Sequence, residues 1–351
     1  MGSCHEFDGW DSDGIALVCL KANLKNSQPN PNSKDSQTKM SVEASRSNAA
    51  LDLSGKTAVV TGGTQGIGEG IALRCAQLGA SRIFIVGRSQ ERGNAVLERL
   101  RAVAAERAHS KQQFEFLQAD LSTIKTIKET ASEIKKKVGT NGLDYLLMTQ
   151  GGPPNGLYEE NSEGYEKSLV VHCLSRFGLS YLLAESKTLK NESTVVSILS
   201  PGSSYSELDL EDLSLKKLHA THPWRPTMLI TQGKRDSTLT DAFTLEFNRR
   251  YPSVKFYHLF PGFVQTNAAA NRGLPFPIPQ LGSVFGPILA KIAGNTPTSY
   301  SDIPLFFAAN PEARKLDGYL FNERLKKIDL GQYNRDQANR EKVFEKLRSM
   351  F

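Results

Sequence analysis

The stretch Thr61-Gly62-Gly63-Thr64-Gln65-Gly66-Ile67-Gly68 decides the fold of this chain. It follows the apolar run Thr57–Val60 and precedes Ile71–Leu78, whose composition suits a helix. A strand that turns sharply into a helix needs glycines, which accept positive φ, and the helix N-terminus offers free N–H groups to a pyrophosphate. The stretch therefore predicts a dinucleotide-phosphate site. A strand-to-helix turn without a ligand is the alternative.

Short β-branched or apolar runs alternate with longer amphipathic segments along most of the chain, as in βαβ units. This pattern predicts a single α/β domain, in which a doubly wound, Rossmann-like parallel sheet carries helices on both faces. The predicted strands are Thr57–Thr61, Arg82–Gly87, Phe114–Leu117, Asp144–Met148, Thr194–Ile198, Val254–Leu259 and Gly318–Phe321. The predicted helices are Ser89–Arg107, Ser122–Lys137, Glu160–Thr188 and Met228–Arg250.

The 351 residues, 39% of them hydrophobic, suffice for one large domain with extensions. We expect residues 1–50, rich in Ser, Asn, Asp and Lys, to form a disordered tail. Residues 51–325 are expected to form the NAD(P)-binding domain and residues 326–351 a helical extension. No segment reaches the length of a membrane-spanning helix, and acidic residues in the tail argue against a transit peptide. A cytoplasmic location is therefore expected.

The net charge of +6 comes from lysines and arginines that are interspersed with acidic residues. Such a distribution is typical of solvated helix faces, so we expect no nucleic-acid partner. The four cysteines, Cys4, Cys19, Cys75 and Cys173, lack metal-ligand or redox spacing, so no metal site is expected. These observations favour a small-molecule substrate.

Two motifs together resemble those of the short-chain dehydrogenase/reductase family. Gly62–Gly68 belongs to a T-G-x-x-x-G-x-G pattern, and Pro261–Thr266, after the sixth predicted strand, has the family's P-G-x-V-x-T pattern. About residues 54–270 carry the resemblance. It implies two groups of cofactor-binding residues: Thr61, Gly62, Thr64, Gln65, Gly66, Ile67 and Gly68 at the phosphates, and Pro261, Val264 and Thr266 at the nicotinamide amide.

Arg88 follows the second strand, where an NAD-selective site would place a carboxylate on the ribose 2′-hydroxyl. A guanidinium suits a 2′-phosphate instead, so NADP(H) is the expected cofactor, with an ordinary surface arginine as the alternative. The resemblance implies that Asp120 bonds to the adenine, although a helix N-cap role is also compatible. It also implies that Gly151 lies at the cofactor, but Thr149-Gln150 replace the family's usual asparagines.

Ser200, after the fifth strand, matches the family's catalytic serine, which holds the substrate carbonyl oxygen. The family then has Tyr-x-x-x-Lys on the next helix, where lysine binds the nicotinamide ribose and lowers the pKa of the tyrosine that exchanges the proton. Lys234 matches this lysine, but Ile230 takes the place of the tyrosine. The pattern recurs at Tyr251–Lys255, where Pro252 excludes a helix interior.

His172 takes the place of the family's supporting asparagine, so the predicted catalytic residues are Ser200, Lys234 and His172. The missing proton could come from His172, His222 or Tyr205. For His172 the alternative is an imidazole that packs beneath the cofactor pocket and bonds only to the backbone. The apolar residues of Leu274–Gly294 suggest a segment over a lipophilic substrate, or a helix packed on the core.

These residues predict an NADP(H)-dependent oxidoreductase, most simply a carbonyl or enone reductase acting on a small apolar molecule. One alternative is a catalytically weak relative that binds NADP(H) as a regulatory or interaction protein. Another is a different nucleotide-linked reaction, such as epimerisation or dehydration. Because the family usually forms dimers or tetramers, a homo-oligomer is expected.

Overall fold

The centre of the molecule is a seven-stranded parallel sheet with the order β3-β2-β1-β4-β5-β6-β7. The structure is a computed structural model that describes residues 44–106, 111–151, 155–203, 205–262, 264 and 295–351. The strands are β1 Thr57–Thr61, β2 Arg82–Gly87, β3 Gln113–Gln118, β4 Leu143–Met148, β5 Leu189–Ile198, β6 Lys255–Leu259 and β7 Leu320–Phe321. The strand order reverses between β1 and β4, which is where such sheets bind ligands. The predicted doubly wound sheet is confirmed.

Helices cover both faces of this sheet. Ile71, Leu100 and Ile303 belong to the core on one face, and Ile127, Phe177, Phe243 and Phe344 belong to the core on the other. The helices are α1 Gly66–Gln77, α2 Gln90–Ala105, α3 Ile124–Val138, α4 Lys167–Leu169, α5 Ser175–Glu185, α6 Lys216–Thr221, α7 Arg225–Arg250, α8 Pro297–Ala309, α9 Gln332–Arg335 and α10 Gln337–Arg348. None of these helices is long and apolar enough to cross a membrane.

Two predicted boundaries around the site are wrong. The helix predicted from Glu160 begins at Lys167, because Glu160 forms a bridge with Glu166, whose carboxylate accepts from N of Ser168 and Leu169. A π-helical turn, Val170–Leu174, then joins α4 to α5.

The strand predicted from Thr194 begins at Leu189, because Leu189 pairs with Leu143 at the start of β4. Residues 44–48, inside the predicted tail, are helical. The side chain of Asn48 donates to Asp302 there. A helical segment thus lies within the range predicted for the tail.

The C-terminal helix α10 is part of the core. The ring of Phe344, 1% exposed, lies 5.1 Å from the rings of both Phe177 on α5 and Phe247 on α7. The ring of the last residue, Phe351, lies 5.9 Å from that of Phe177. This aromatic cluster fixes α10 against α5 and α7, the second of which carries Lys234.

Replacing Phe344 with alanine is expected to lower the free energy of unfolding by about 3–5 kcal/mol, since it leaves a cavity among aromatic rings. Denaturant unfolding measures the change. Lys342→Ala, on the exposed face of the same helix, serves as the control and should change stability by less than about 0.5 kcal/mol. Equal effects of the two substitutions would contradict the packing described for α10.

Candidate functional site

At two positions of the turn between β1 and α1, there is space only for a glycine. Gly62 has a φ of +70°, and a Cβ there would lie 2.7 Å from N of Gln150; a Cβ on Gly68 would lie 2.5 Å from O of Gly62. Gln65, the residue immediately before α1, has an extended backbone, and its side chain does not cap the helix. Its amide accepts from Arg92 instead. The first N–H groups of α1 therefore remain open to a phosphate, so the cradle fits a dinucleotide.

Arg88 and Asp120 lie at the carboxyl ends of β2 and β3, which pair side by side. Both residues are exposed, and Nε2 of Gln118 donates to the carbonyl of Arg88 at 3.0 Å. The N-cap of α3 is Thr123, whose hydroxyl accepts from N of Thr126. The N-cap alternative for Asp120 is therefore wrong; Asp120 lies two residues after β3.

Thr149 and Gln150, which replace the family's asparagines, hold strand ends together. Oγ1 of Thr149 donates to O of Thr61 at 2.8 Å, and the amide oxygen of Gln150 contacts the hydroxyl of Thr61. Nε2 of Gln150 donates to Oγ of Ser175 at 2.7 Å. These side chains join β1, β4 and α5 immediately beneath Gly151.

Arg176 is a fully buried guanidinium beneath the same edge of the sheet. It donates to O of Gln150 at 2.9 Å, to O of Ile198 at 3.0 Å and to O of His172 at 2.8 Å. Among the described residues it forms no ion pair, and burial lowers the pKa of Arg176 to about 10. One side chain thus joins the carboxyl ends of β4 and β5.

His172 lies in the π-helical turn, directly beneath the backbone of Gly151. Its Nδ1 is 2.6 Å from Oδ2 of Asp236, and a Cβ on Gly151 would lie 2.6 Å from its Nε2. Burial opposes the charge of Asp236, but Arg235 and His172 outweigh burial and lower the pKa of Asp236. The anionic carboxylate therefore fixes the ring of His172 against the end of β4.

Arg235 continues this buried chain of charges. Its guanidinium lies 2.7 Å from Oδ1 of Asp236 and 2.8 Å from Oε2 of Glu166, and none of the three side chains is more than 2% exposed. The sequence prediction missed Arg235, Asp236 and Arg176. A possible signal was the run Arg235-Asp236 next to the apolar Leu239, Ala242 and Phe243, which are all buried.

Lys234 and Ile230 lie one turn apart on α7, the spacing that places two side chains on one helix face. Lys234 is exposed, and Ile230 and Ser200 are half-buried. The structure therefore places Lys234 on the expected helix, one turn after Ile230. Among the described residues, no hydrogen bond joins Ser200 to Lys234.

The other two proton donors considered from the sequence are less well placed. The hydroxyl of Tyr205 donates to O of Thr231 on α7 at 2.8 Å, and burial raises the pKa of Tyr205. His222 is exposed at the end of α6. His172 is the one of the three that lies against the end of β4.

The segment after β6 is described in part. Pro261 follows β6, and Val264 forms a parallel bridge with Asn295. Thr266 and Leu274–Gly294 lie outside the described residues.

Comparison with known proteins agrees with this geometry. The family model for short chain dehydrogenase matches residues 56–208. Oxidoreductase AN1596 of Emericella nidulans is 29% identical over 235 residues, covering 66% of this chain and 65% of the relative. Oxidoreductase andH of Emericella variicolor is 31% identical over 238 residues, covering 67% and 62%. The matches thus span less than two thirds of each curated relative.

A solved structure shares the fold. The 3-oxoacyl (acyl-carrier-protein) reductase of Agrobacterium tumefaciens C58, with NADP bound, has a TM-score of 0.55 and 19% identity, covering 81% of this chain and 96% of that one. The strand order, the glycine cradle and the matches to family members lead to one conclusion. This chain belongs to the short-chain dehydrogenase/reductase family.

Proposed function

We propose that the protein is an NADP(H)-dependent oxidoreductase that reduces a carbonyl or enone group of a small apolar molecule. The observation that carries the proposal is the turn at Gly62 and Gly68, where a Cβ would collide with the backbone and the start of α1 is open. Relatives named as oxidoreductases and a similar fold with NADP bound support it. A cytoplasmic location and a homo-oligomer stay predictions from the sequence.

In this proposal the two ends of the cofactor lie on different parts of the sheet edge. The cradle residues, from Thr61 to Gly68, bind the pyrophosphate, Arg88 binds the 2′-phosphate and Asp120 bonds to the adenine. Lys234 binds the nicotinamide ribose beside Gly151. The nicotinamide amide is bound by Pro261, Val264 and Thr266.

When bound, NADPH supplies the hydride that reduces the substrate carbon. The hydroxyl of Ser200 donates a hydrogen bond to the substrate oxygen and so polarises the carbonyl. His172 gives its Nε2 proton to this oxygen and keeps the Nδ1 proton, which it donates to Asp236, so that Asp236 holds the ring in one orientation. The proposal assigns the proton to His172 because its Nε2 faces the backbone of Gly151.

A second candidate is a catalytically weak relative that binds NADP(H) and acts through other proteins. Ile230 favours it, because a hydrocarbon stands where the family's proton donor belongs. This candidate predicts nucleotide binding without turnover that depends on Lys234.

The experiment that separates the two follows NADPH oxidation at 340 nm with a panel of aromatic aldehydes, ketones and enones. We expect Ser200→Ala and Lys234→Met each to lower kcat/KM by about a hundredfold, which corresponds to about 2.7 kcal/mol of lost transition-state stabilisation. Lys342→Met, on the exposed face of α10, is the matched control. NADPH binding without measurable turnover would favour the second candidate.

Replacing Arg88 with aspartate is expected to weaken NADPH binding about ten- to a hundredfold, because charged hydrogen bonds to the 2′-phosphate contribute about 1.5–3 kcal/mol. The same change should improve NADH binding, since a carboxylate accepts from the free 2′-hydroxyl. Calorimetric titration with both nucleotides measures the ratio. Arg101→Asp, near the far end of α2, should leave the ratio unchanged; an unchanged ratio in Arg88→Asp would remove Arg88 from the site.

A further inference from the structure

The segment that carries Ser200 is hydrogen-bonded to side chains of helix α7. N of Gly202 donates to Oδ2 of Asp241 at 2.8 Å, and N of Tyr205 donates to Oγ1 of Thr238 at 3.1 Å. Lys234 lies on the same helix, one turn before Thr238. These two bonds therefore set the position of the Ser200 segment relative to Lys234.

Asp241 is itself held from the sheet. It is fully buried, and its Oδ1 lies 2.7 Å from Nδ1 of His258, which is also fully buried and lies opposite Ser197 in the pairing of β5 with β6. Burial lowers the pKa of His258, and the hydrogen bond to Asp241 offsets only part of this. The neutral ring therefore donates Nδ1–H to the carboxylate, which joins α7, β6 and the segment after β5.

Burying the carboxylate of Asp241 lowers the stability of the folded protein. A buried carboxylate loses its hydration, and among the described residues Asp241 has hydrogen bonds but no ion pair with a lysine or arginine to compensate. What it provides is rigidity, because each oxygen of Asp241 accepts a hydrogen bond, one from N of Gly202 and one from Nδ1 of His258. Gly202, the residue that Asp241 holds, lies two residues after Ser200.

We propose that Asp241 is a positioning residue, which fixes the hydroxyl of Ser200 relative to Lys234 by holding N of Gly202, with His258 as its support. This inference rests on the proposed reductase function. A displacement of a catalytic group by about 1 Å costs on the order of a hundredfold in rate. Asp241 acts through Ser200 and touches neither substrate nor cofactor in this scheme.

The test is a double-mutant cycle of Asp241→Ala and Ser200→Ala in the full chain, with kcat, KM and the Kd for NADPH measured for each variant. We expect Asp241→Ala to lower kcat about a hundredfold, with the Kd for NADPH unchanged within about threefold. In the Ser200→Ala background the same change should lower kcat by no more than about threefold. Asp241→Asn, which keeps an oxygen for N of Gly202, should restore kcat to within about tenfold of the original.

If Asp241→Ala does not fold, Thr238→Val is the second variant, because it is nearly isosteric. It removes the acceptor for N of Tyr205 and the hydrogen bond that Oγ1 donates to O of Lys234 within α7. We expect about a tenfold loss of kcat that disappears in the Ser200→Ala background. Full and additive losses in that background would overturn the inference while the proposed function stands. Absence of any turnover in the original protein would overturn both.

Discussion

Replacing Ile230 with tyrosine is expected to raise kcat for carbonyl reduction by up to about a hundredfold, the lower end of the usual contribution of a positioned proton donor, because His172 already supplies a proton in the proposed scheme. Ile230 is half-buried on α7, one turn before Lys234. A phenol there would share a helix face with the lysine ammonium, which lowers the pKa of tyrosine and favours proton transfer. Initial rates at saturating NADPH measure the gain.

Ile230→Phe is the matched control, since it adds the ring without the hydroxyl. We expect it to give no gain, and a loss of kcat where the ring crowds the substrate. Equal rates for the tyrosine and phenylalanine variants would show that the reacting carbonyl does not lie beside this turn of α7. Absence of turnover in both variants would support the nucleotide-binding candidate over the reductase.

Replacing Arg235 with methionine is expected to lower the free energy of unfolding by about 3–5 kcal/mol. The guanidinium is fully buried between Glu166 and Asp236, and its removal leaves two buried carboxylates without their cation. The change also affects His172, because Asp236 orients that ring. Chemical denaturation of the folded protein measures the effect.

Lys217→Met provides the comparison for an exposed ion pair. Lys217 and Asp209 lie 2.8 Å apart, but their side chains are 71% and 54% exposed. Such pairs contribute little to stability because water screens them, so Lys217→Met should leave the free energy of unfolding nearly unchanged. A loss of less than about 1 kcal/mol in Arg235→Met would contradict the burial and pairing that we describe for the Glu166–Arg235–Asp236 chain.

The sheet could be predicted largely from the sequence because most of its strands contain a short run of apolar residues. The observed β1 and β2 begin and end where the pattern predicts. The start of β5 was missed because residues 190–192 are polar, and their place in the strand depends on the pairing of Leu189 with Leu143. The start of α4 was missed because Glu166 lies inside a run of residues that suits a helix. That its carboxylate caps the helix N-terminus is a local polar contact, which the pattern does not show.

The glycine cradle could be predicted because it is local in sequence and imposed by sterics. The polar scaffold beneath the site could not, because its partners lie far apart along the chain. Arg235 contacts Glu166 across 69 residues, and Gly202 contacts Asp241 across 39. Helical periodicity shows where apolar residues face the core, but it does not show which charged residue is paired there. The roles of Asp236 and Asp241 emerge only from the packing of α7.

Calorimetric titration of the purified protein with NADPH tests the central claim most directly. The glycine cradle, the open start of α1 and Arg88 at the end of β2 predict binding of about one NADPH per chain, with NADH bound at least about tenfold more weakly. Failure of both nucleotides to bind would contradict the account and leave only the fold.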